Sequence, residues 1–508
     1  MTGPEATLPV SEQRLHPWSW LFVLLQQLRQ FLVPLVVLLF AGRRDNGPWE
    51  YAEYAPLAGV VMLVVVSVLQ YFTYRYRIGS DGISIRSGLL QRNQRDIPFT
   101  RIHNVAVHQS LLHRIFGVAE VRLESAGGNK PEGQMRVLGL EHALALERLV
   151  REQGQAPTAS GLAADPDAPA QAPAEQVLLA MSPGEVVRMG LISNRGMLVV
   201  AAGAGLLAQA GPERMLTDLL RAYVAEAAGY ADGLQLGWVG MAGLAFAVLA
   251  LAAGAVRLLS VALALSQYYG FRLVRTQGRL VVERGLFARM RSSVAPRRIQ
   301  AWHIEETLLH RWFRRRALRI DTATGGPETD PRKLRELAPI ATPDTCDALL
   351  ATLVPGVQWP PAAWEGVPRR CWWRLFAGSV PLNLLLVAVC WWQLGPWALL
   401  ILLWLPWSAY AAWQQAGRMG YRLDVRLLAV RGGWWSRWWR VAEVDKIQGL
   451  RLHRSPLDRW LGTASLALDT AGAGAMSPPL RIRFLPEARA RELQARLGRM
   501  LAARRLRW

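Results

Sequence analysis

Cysteine, lysine and histidine are all scarce in this 508-residue chain, and each scarcity removes a class of function. Three cysteines (Cys346, Cys371 and Cys390) are too few and too scattered for a disulfide framework or a thiolate zinc site. Eight histidines include one close set, His103, His108 and His113. A spacing of five places three imidazoles on neither a helix face nor a strand face, so no metal site is expected. Lysine occurs only at Lys130, Lys333 and Lys446, so nearly all the positive charge is arginine. No zinc-finger spacing or RNP pattern accompanies that charge, which argues against a nucleic-acid partner. A nucleophile elbow, a zinc-protease helix and a phosphate loop are missing too, so neither an enzyme nor a bound cofactor is expected.

What remains is apolar and basic. The chain is 52% hydrophobic with 22 Trp, yet its formal net charge is +21. That combination suits a membrane protein with basic parts outside the bilayer, where arginine serves topology or anionic head groups. The strongest signal is an internal repeat. Gly88-Leu89-Leu90-Gln91-Arg92, Ile102, Ser110-Leu111-Leu112-His113-Arg114 and Phe116-Gly117 recur 197 positions later. The second copy reads Gly285-Leu286-Phe287-Ala288-Arg289, Ile299, Thr307-Leu308-Leu309-His310-Arg311 and Phe313. A third copy, 345 positions from the first, reads Gly433-Trp434-Trp435-Ser436-Arg437, Ile447, Ser455-Pro456-Leu457-Asp458-Arg459 and Leu461-Gly462.

Before each copy stands a pair of apolar runs long enough to cross a bilayer. They are Trp18 to Phe40 with Ala55 to Phe72, Leu191 to Ala210 with Leu236 to Leu259, and Trp373 to Trp392 with a run ending near Trp413. Gln176 to Arg188 reads as an interfacial helix. After each pair the pattern changes to period-two alternation with turn residues, then to one amphipathic helix. The boundaries read as hairpin 1–73 and β-rich module 74–153, a Pro/Ala-rich linker 154–175, hairpin 176–268 and module 269–354. A linker 355–368, hairpin 369–416 and module 417–508 complete the chain. The fold class is membrane α-helical plus α+β: six transmembrane helices in three hairpins, each followed by an antiparallel β-module with a C-terminal helix. Glycines at 203, 205, 237, 240 and 243 suit close helix packing.

The outer loops, 41–54, 211–235 and 393–396, carry formal charges of −1, −2 and 0, against +24 for the rest of the chain. The positive-inside rule then puts all three modules and both termini in the cytosol.

The tract from Tyr76-Arg77-Ile78 to Ala126-Gly127-Gly128 resembles the bacterial pleckstrin-homology-like domain. Three such domains, each after a membrane hairpin, resemble the YdbS/YdbT-type membrane proteins. The resemblance implies a partly open antiparallel barrel capped by a helix, and a bacterial inner-membrane location. It also implies a role in envelope stress or tolerance of membrane-active peptides, and a shorter companion membrane protein of the same domain type. Repeat 2 departs at Arg314, where repeat 1 has Gly117, and repeat 3 carries Pro456 and Asp458.

Two consecutive large apolar residues on a strand cannot both face a core. The doublets after the repeated glycine are therefore candidate membrane-interface residues: Leu89, Leu90 and Arg92; Leu286, Phe287 and Arg289; Trp434, Trp435, Arg437, Trp438, Trp439 and Arg440. Tryptophan beside arginine is the composition of an interfacial anchor, and the partner it implies is the lipid bilayer, with anionic lipids preferred. The competing reading is that one residue of each pair packs on the module and the other against its hairpin. The recurrent Arg114, Arg311 and Arg459 either hold a turn through backbone carbonyls or bind an anion. The functional expectation is a non-enzymatic scaffold or lipid-proximal adaptor. The alternative is a transporter- or flippase-like helix bundle, for which Gln26, Arg29, Asn194, Arg195 and Asn383 are the candidate path residues.

Overall fold

The computed structural model describes residues 13–25, 27, 28, 31, 55–79, 81–88, 92–99, 102–125, 133–153, 175–209, 229, 237–322, 334–354, 356–471 and 480–503. Module 1 comprises β1 (Gln13–Arg14), α1 (Ala55–Thr73), β2 (Arg75–Ile78), β3 (Gly82–Ser87), β4 (Asn93–Pro98), β5 (Ile102–Gln109), α2 (Leu111–Ile115), β6 (Val118–Ser125), β7 (Gly133–Gly139) and α3 (Leu140–Gln153). Module 2 begins with β8 (Gln176–Ala180), α4 (Pro183–Ile192), α5 (Arg195–Gln209) and α6 (Trp238–Tyr268). It continues through β9 (Arg272–Thr276), β10 (Arg279–Arg284), β11 (Arg289–Val294), β12 (Ile299–Glu306), α7 (Leu308–Trp312), β13 (Arg316–Thr322), β14 (Glu336–Ala341) and α8 (Pro343–Leu353). Module 3 has β15 (Glu365–Gly366), α9 (Trp372–Leu394), a 3₁₀ stretch (Gly395–Leu403), α10 (Trp404–Arg418), β16 (Gly420–Leu423), β17 (Leu427–Gly432) and β18 (Arg437–Glu443). It closes with β19 (Ile447–His453), α11 (Pro456–Leu461), β20 (Thr463–Thr470), β21 (Arg481–Pro486) and α12 (Glu487–Ala502).

Each module is thus two antiparallel sheets and a closing helix, and its first strand lies upstream of the apolar helices that precede its second strand. The sheets do not stop at module boundaries. Their strand orders are β1-β2-β3-β4, β7-β6-β5-β11-β10-β9-β8, β14-β13-β12-β18-β17-β16-β15 and β19-β20-β21. The second sheet of module 1 therefore continues into the first sheet of module 2, and the second sheet of module 2 into the first of module 3. Both joints use one register. Arg289 lies opposite Gln109, Met290 opposite His108 and Arg291 opposite Val107; the repeat-equivalent pairs Arg437–Glu306, Trp438–Glu305 and Trp439–Ile304 face each other in the second joint. Pairing these edges satisfies backbone groups that would otherwise lie open on two strand edges.

The cores follow the sheets. The module 2 core takes in Leu427, Ala429 and Val441 from module 3 strands, and the module 3 core takes in Ala301 from β12. Ile102, Ile299 and Ile447 are all buried, as their shared position in the repeat predicts. Each begins the strand at a joint or its equivalent, and each is followed by a bulge, at Ile102/Asn104, Ile299/Ala301 and Ile447/Gly449.

The Ser/Thr-x-x-His/Asp box is a helix cap. Ser110, Thr307 and Ser455 sit at the N-caps of α2, α7 and α11 and accept the backbone N–H three residues on. The third residue reaches back: His113 Nδ1 lies 2.6 Å from Ser110 Oγ and His310 Nδ1 2.8 Å from Thr307 Oγ, while the Asp458 carboxylate accepts from Ser455. The same helices end on Gly117, Arg314 and Gly462, all at positive φ, so repeat 2 keeps the left-handed cap without glycine.

Three described helices are long and apolar enough to cross a membrane: Val239–Tyr268, Arg369–Trp392 and Gly395–Arg418. A fourth span is formed if Pro183–Ile192 and Arg195–Gly205 are taken together across their 51° bend, and Leu57–Thr73 is a shorter apolar helix. The expected first span, Trp18 to Phe40, lies mostly outside the described residues. The interfacial helix expected over Gln176 to Arg188 is instead β8, paired to β9, followed by α4. Ser182 and Pro183 start α4, whose Val186, Met189 and Ile192 are buried in the module 2 core. Close helix packing also falls elsewhere than expected. A Cβ at Gly203, Gly205, Gly237 or Gly243 would meet nothing within 4 Å among the described residues, whereas one at Gly190 or Gly196 would lie 2.5 Å or less from α6.

Candidate membrane-interface site

The Gly-apolar-apolar-x-Arg signature is a tight hairpin between two strands of one sheet. Gly88, Gly285 and Gly433 adopt φ of 115°, 114° and 77°. The reason is steric as well as torsional. A Cβ at Gly285 would lie 1.9 Å from the Ala288 carbonyl oxygen, and one at Gly433 would lie 1.8 Å from that of Ser436. In modules 2 and 3 the turn leaves the second apolar residue of the doublet, Phe287 or Trp435, exposed while the arginine starts the next strand.

Both described hairpin tips lie against a membrane-span helix. In module 2 the Gly285 N–H donates to Tyr269 O at 2.9 Å and the Leu286 N–H to Ser266 O at 3.0 Å, at the end of α6. Phe287 is exposed beside it. In module 3 Trp434 packs on Trp407 and Tyr410 at centroid distances of 5.8 and 5.4 Å, and Trp435 packs edge-on against Trp407 at 6.0 Å. Trp407 and Tyr410 stand eleven and eight residues before the end of α10, about 12–16 Å up the helix. Trp404, Trp407, Tyr410, Trp413 and Trp435 are all exposed. Exposed tryptophan and tyrosine along the last turns of an apolar helix have the composition of an interfacial belt.

The remaining candidates divide. Leu89 and Leu90 lie outside the described residues, and Arg92 is exposed. Arg289 is exposed at the first joint, opposite Gln109. Arg437, Trp438, Trp439 and Arg440 belong to β18 and are engaged in the second joint. Arg437 pairs with Glu306 at 3.7 Å, and Trp439 lies under the Arg316 guanidinium at 4.8 Å. Arg440 is 1% exposed and pairs with Asp321 at 2.6 Å, so it is out of reach of a lipid head group. The recurrent arginine has a similar task at the first joint: Arg114 Nη1 donates to Leu286 O of the next module at 2.8 Å.

Sequence reasoning missed how each hairpin is fixed to its module. The first helix of every hairpin meets the capped short helix, with different chemistry each time. Phe22 packs on His113 at 4.1 Å and Trp18 on Phe116 at 4.8 Å. Glu185 of α4 takes a two-pronged ion pair from Arg315, just after α7, at 2.7 and 2.9 Å. Arg374 of α9 donates to Asp458 of α11 at 2.7 Å and to Thr463 at 3.0 Å. Burial alone would raise the Asp458 carboxyl, yet hydrogen bonds from Arg374, Ser455 and Thr463 hold it well below the usual carboxylate range. The recurring short box was visible in the sequence; its partners on the hairpins share no residue type, so nothing marked them.

In module 2 a buried imidazole, His303, stands at the joint, and a half-buried one, His310, at the cap. Burial pushes His303 and His310 down to about 4. Unfolded, both titrate near 6.5. Their depressed folded values mean that the neutral-state stability is whole above pH 6.5 and is lost as pH falls toward 4. Melting of the full chain is therefore expected at a lower temperature at pH 5.0 than at pH 7.5. His310→Gln, which keeps a hydrogen-bonding group at the cap, should shrink that difference; an unchanged difference in both His310→Gln and His303→Gln would contradict the assignment.

Comparison with known proteins agrees with this repeating unit. The bacterial PH domain family model matches residues 22–154, 227–342 and 375–501, one match in each repeat. The UPF0699 transmembrane protein YdbT of Bacillus subtilis (strain 168) is 23% identical over 417 residues, covering 78% of this chain and 79% of its own length. No solved structure matches.

Proposed function

The chain belongs to the bacterial PH domain family, and from that premise we propose that it is a non-enzymatic membrane scaffold. Its three modules form one stiff cytosolic layer held against the inner leaflet. Six spans in three hairpins carry it, with both termini in the cytosol, as the charge asymmetry of the loops argues. The observation that carries the reading is the seating of Trp434 and Trp435 on the exposed aromatic belt of α10. Continuous sheets support the stiffness, since relative movement of two modules would have to break a strand pair and a shared core. Envelope-stress tolerance as the setting is supported by the family resemblance alone.

A transport reading draws on the bent pair α4–α5, because broken spans often line substrate paths. At this break several polar groups are already engaged. Arg257 donates to Leu191 O, Ser193 O and Asn194 Oδ1 at 3.1–3.2 Å, and Ser260 Oγ accepts from the Gly196 N–H at 2.8 Å. Arg195 pairs with Glu336 and Tyr268, and Asn383 donates to Ser379 O of its own helix. Gln26 and Arg29 lie outside the described residues. The described polar groups are held within the helices and against module 2, which favours the scaffold.

Nitroxide labels at Phe287→Cys and Trp435→Cys in liposome-reconstituted protein test the membrane contact. Both are expected to collide more with oxygen than with a water-soluble nickel chelate, the pattern of an interfacial site. Labels that behave like one on an exposed cytosolic helix, such as Glu492→Cys, would remove the reading.

A further inference from the structure

Beneath the third hairpin lies a cavity of about 230 Å³, where α9 begins and α10 ends. Leu375 and Gln415 of those helices, Trp438, Arg431, Arg481 and Arg483 line it, and no carboxylate does. The Nε atoms of Arg431 and Arg481 are buried and have no hydrogen-bond partner among the described residues. Arg431 is held in place by stacking on Trp364, 4.7 Å from the ring centre. Burial pushes the Arg431 guanidinium below its ordinary value and does the same to Arg483, with Arg481 beside it adding to the effect. Arg431 and Arg481 are half-buried and Arg483 is exposed, and the cavity lining offers none of them a carboxylate.

Module 2 shows what the fold does when the charge is balanced from within. Arg431 corresponds in the repeat to Glu283, which pairs with Arg291 at 3.2 Å. Arg481 opens β21 where Glu336 opens β14, and Glu336 pairs with Arg284 at 3.3 Å and Arg195 at 3.6 Å. Module 3 thus puts arginine at both places where module 2 puts an acid. The lining of module 3 supplies no such acid, so the cavity is free to take its negative charge from a ligand.

We propose that this cavity binds a phosphate-bearing anion, gripped by Arg431 and Arg481 with Arg483 at the rim and the Trp438 indole as its apolar wall. Guanidinium forks match phosphate oxygens in geometry as well as charge. The inference builds on the proposal that α10 leaves the bilayer at module 3. That placement sets the cavity at head-group depth, so the source is either the head group of an anionic lipid or a free phosphate.

The test uses purified full-length protein in a neutral detergent, with thermal unfolding followed during titration. The probes are dioctanoyl phosphatidylglycerol, dioctanoyl phosphatidylcholine and inorganic phosphate. Saturable stabilisation by phosphatidylglycerol is expected, with phosphatidylcholine at least tenfold weaker; equal saturation by inorganic phosphate would identify free phosphate as the source. Arg481→Glu, which restores the charge found in module 2, should weaken binding at least tenfold without lowering the ligand-free melting temperature. Arg431→Gln with Arg481→Gln should weaken it to a similar degree. Parental affinity in both variants for both anions would overturn the site. Nitroxide mobility and collision at Trp435→Cys, read in the same variants, separates loss of the anion from loss of the membrane contact.

Discussion

Replacing Asp321 with alanine is expected to destabilise the second joint by about 3–5 kcal/mol. The Arg440 guanidinium is 1% exposed, and its Nε and Nη1 have no partner among the described residues, so Asp321 at 2.6 Å supplies its counter-charge. Removing the carboxylate leaves a cation buried in the sheet that modules 2 and 3 share. Removing both charges is a different experiment. Asp321→Leu with Arg440→Met replaces an ion pair by apolar groups, and such swaps are commonly neutral or stabilising. The single variant should therefore melt well below the parent while the double variant melts near it, with Trp438 and Trp439 of β18 itself as fluorescent reporters. A double variant as damaged as the single one would mean that the site needs its shape rather than its charge balance.

Gly433→Ala should cost on the order of 3 kcal/mol, combining left-handed backbone strain with a carbonyl that has to move. The added carbon would sit 1.8 Å from Ser436 O, and Gly285→Ala meets the same obstacle at 1.9 Å. Damage should be local. The hairpin tip and the start of β18 or β11 should gain proteolytic sensitivity before the closing helices do. Gly203→Ala, with nothing within 4 Å, is the control and should leave melting unchanged. Equal tolerance at Gly433 and Gly203 would show that the repeated glycine is not there for the turn.

Much of the module was legible because its signals are local. Period-two burial marked the strands, Pro343-Asp344 marked the start of α8, and the shared position of Ile102, Ile299 and Ile447 marked a core residue in each repeat. The joints were not legible. A tandem repeat reads the same whether β5 pairs within its own module or with β11 of the next, since both arrangements bury the same faces. The tryptophans of the third hairpin show the consequence. Composition placed Trp434, Trp435, Trp438 and Trp439 at one interface, but β18 turns the last two into the joint and leaves the first two on α10. The upstream strands run for only two to five residues: β1 and β15 fall in segments whose composition reads as terminus or linker, and β8 in one read as an interfacial helix. Arg257 escaped because one arginine late in a 31-residue apolar helix looks like an end marker, although it braces the α4–α5 bend.

Disulfide trapping across the joints tests the continuous array most directly. Met290 lies opposite His108 and Trp438 opposite Glu305, and directly paired residues on adjacent strands have Cα separations within reach of a disulfide. In a background with Cys346, Cys371 and Cys390 replaced by serine, His108→Cys with Met290→Cys should crosslink within one chain in native membranes. Glu305→Cys with Trp438→Cys should do the same. The register-shifted pair, His108→Cys with Arg291→Cys, should not, because its side chains point to opposite faces. Efficient crosslinking at the two paired sites and little at the shifted one is the predicted result; no crosslink at either joint, or equal yields in and out of register, would contradict a sheet that runs from module to module.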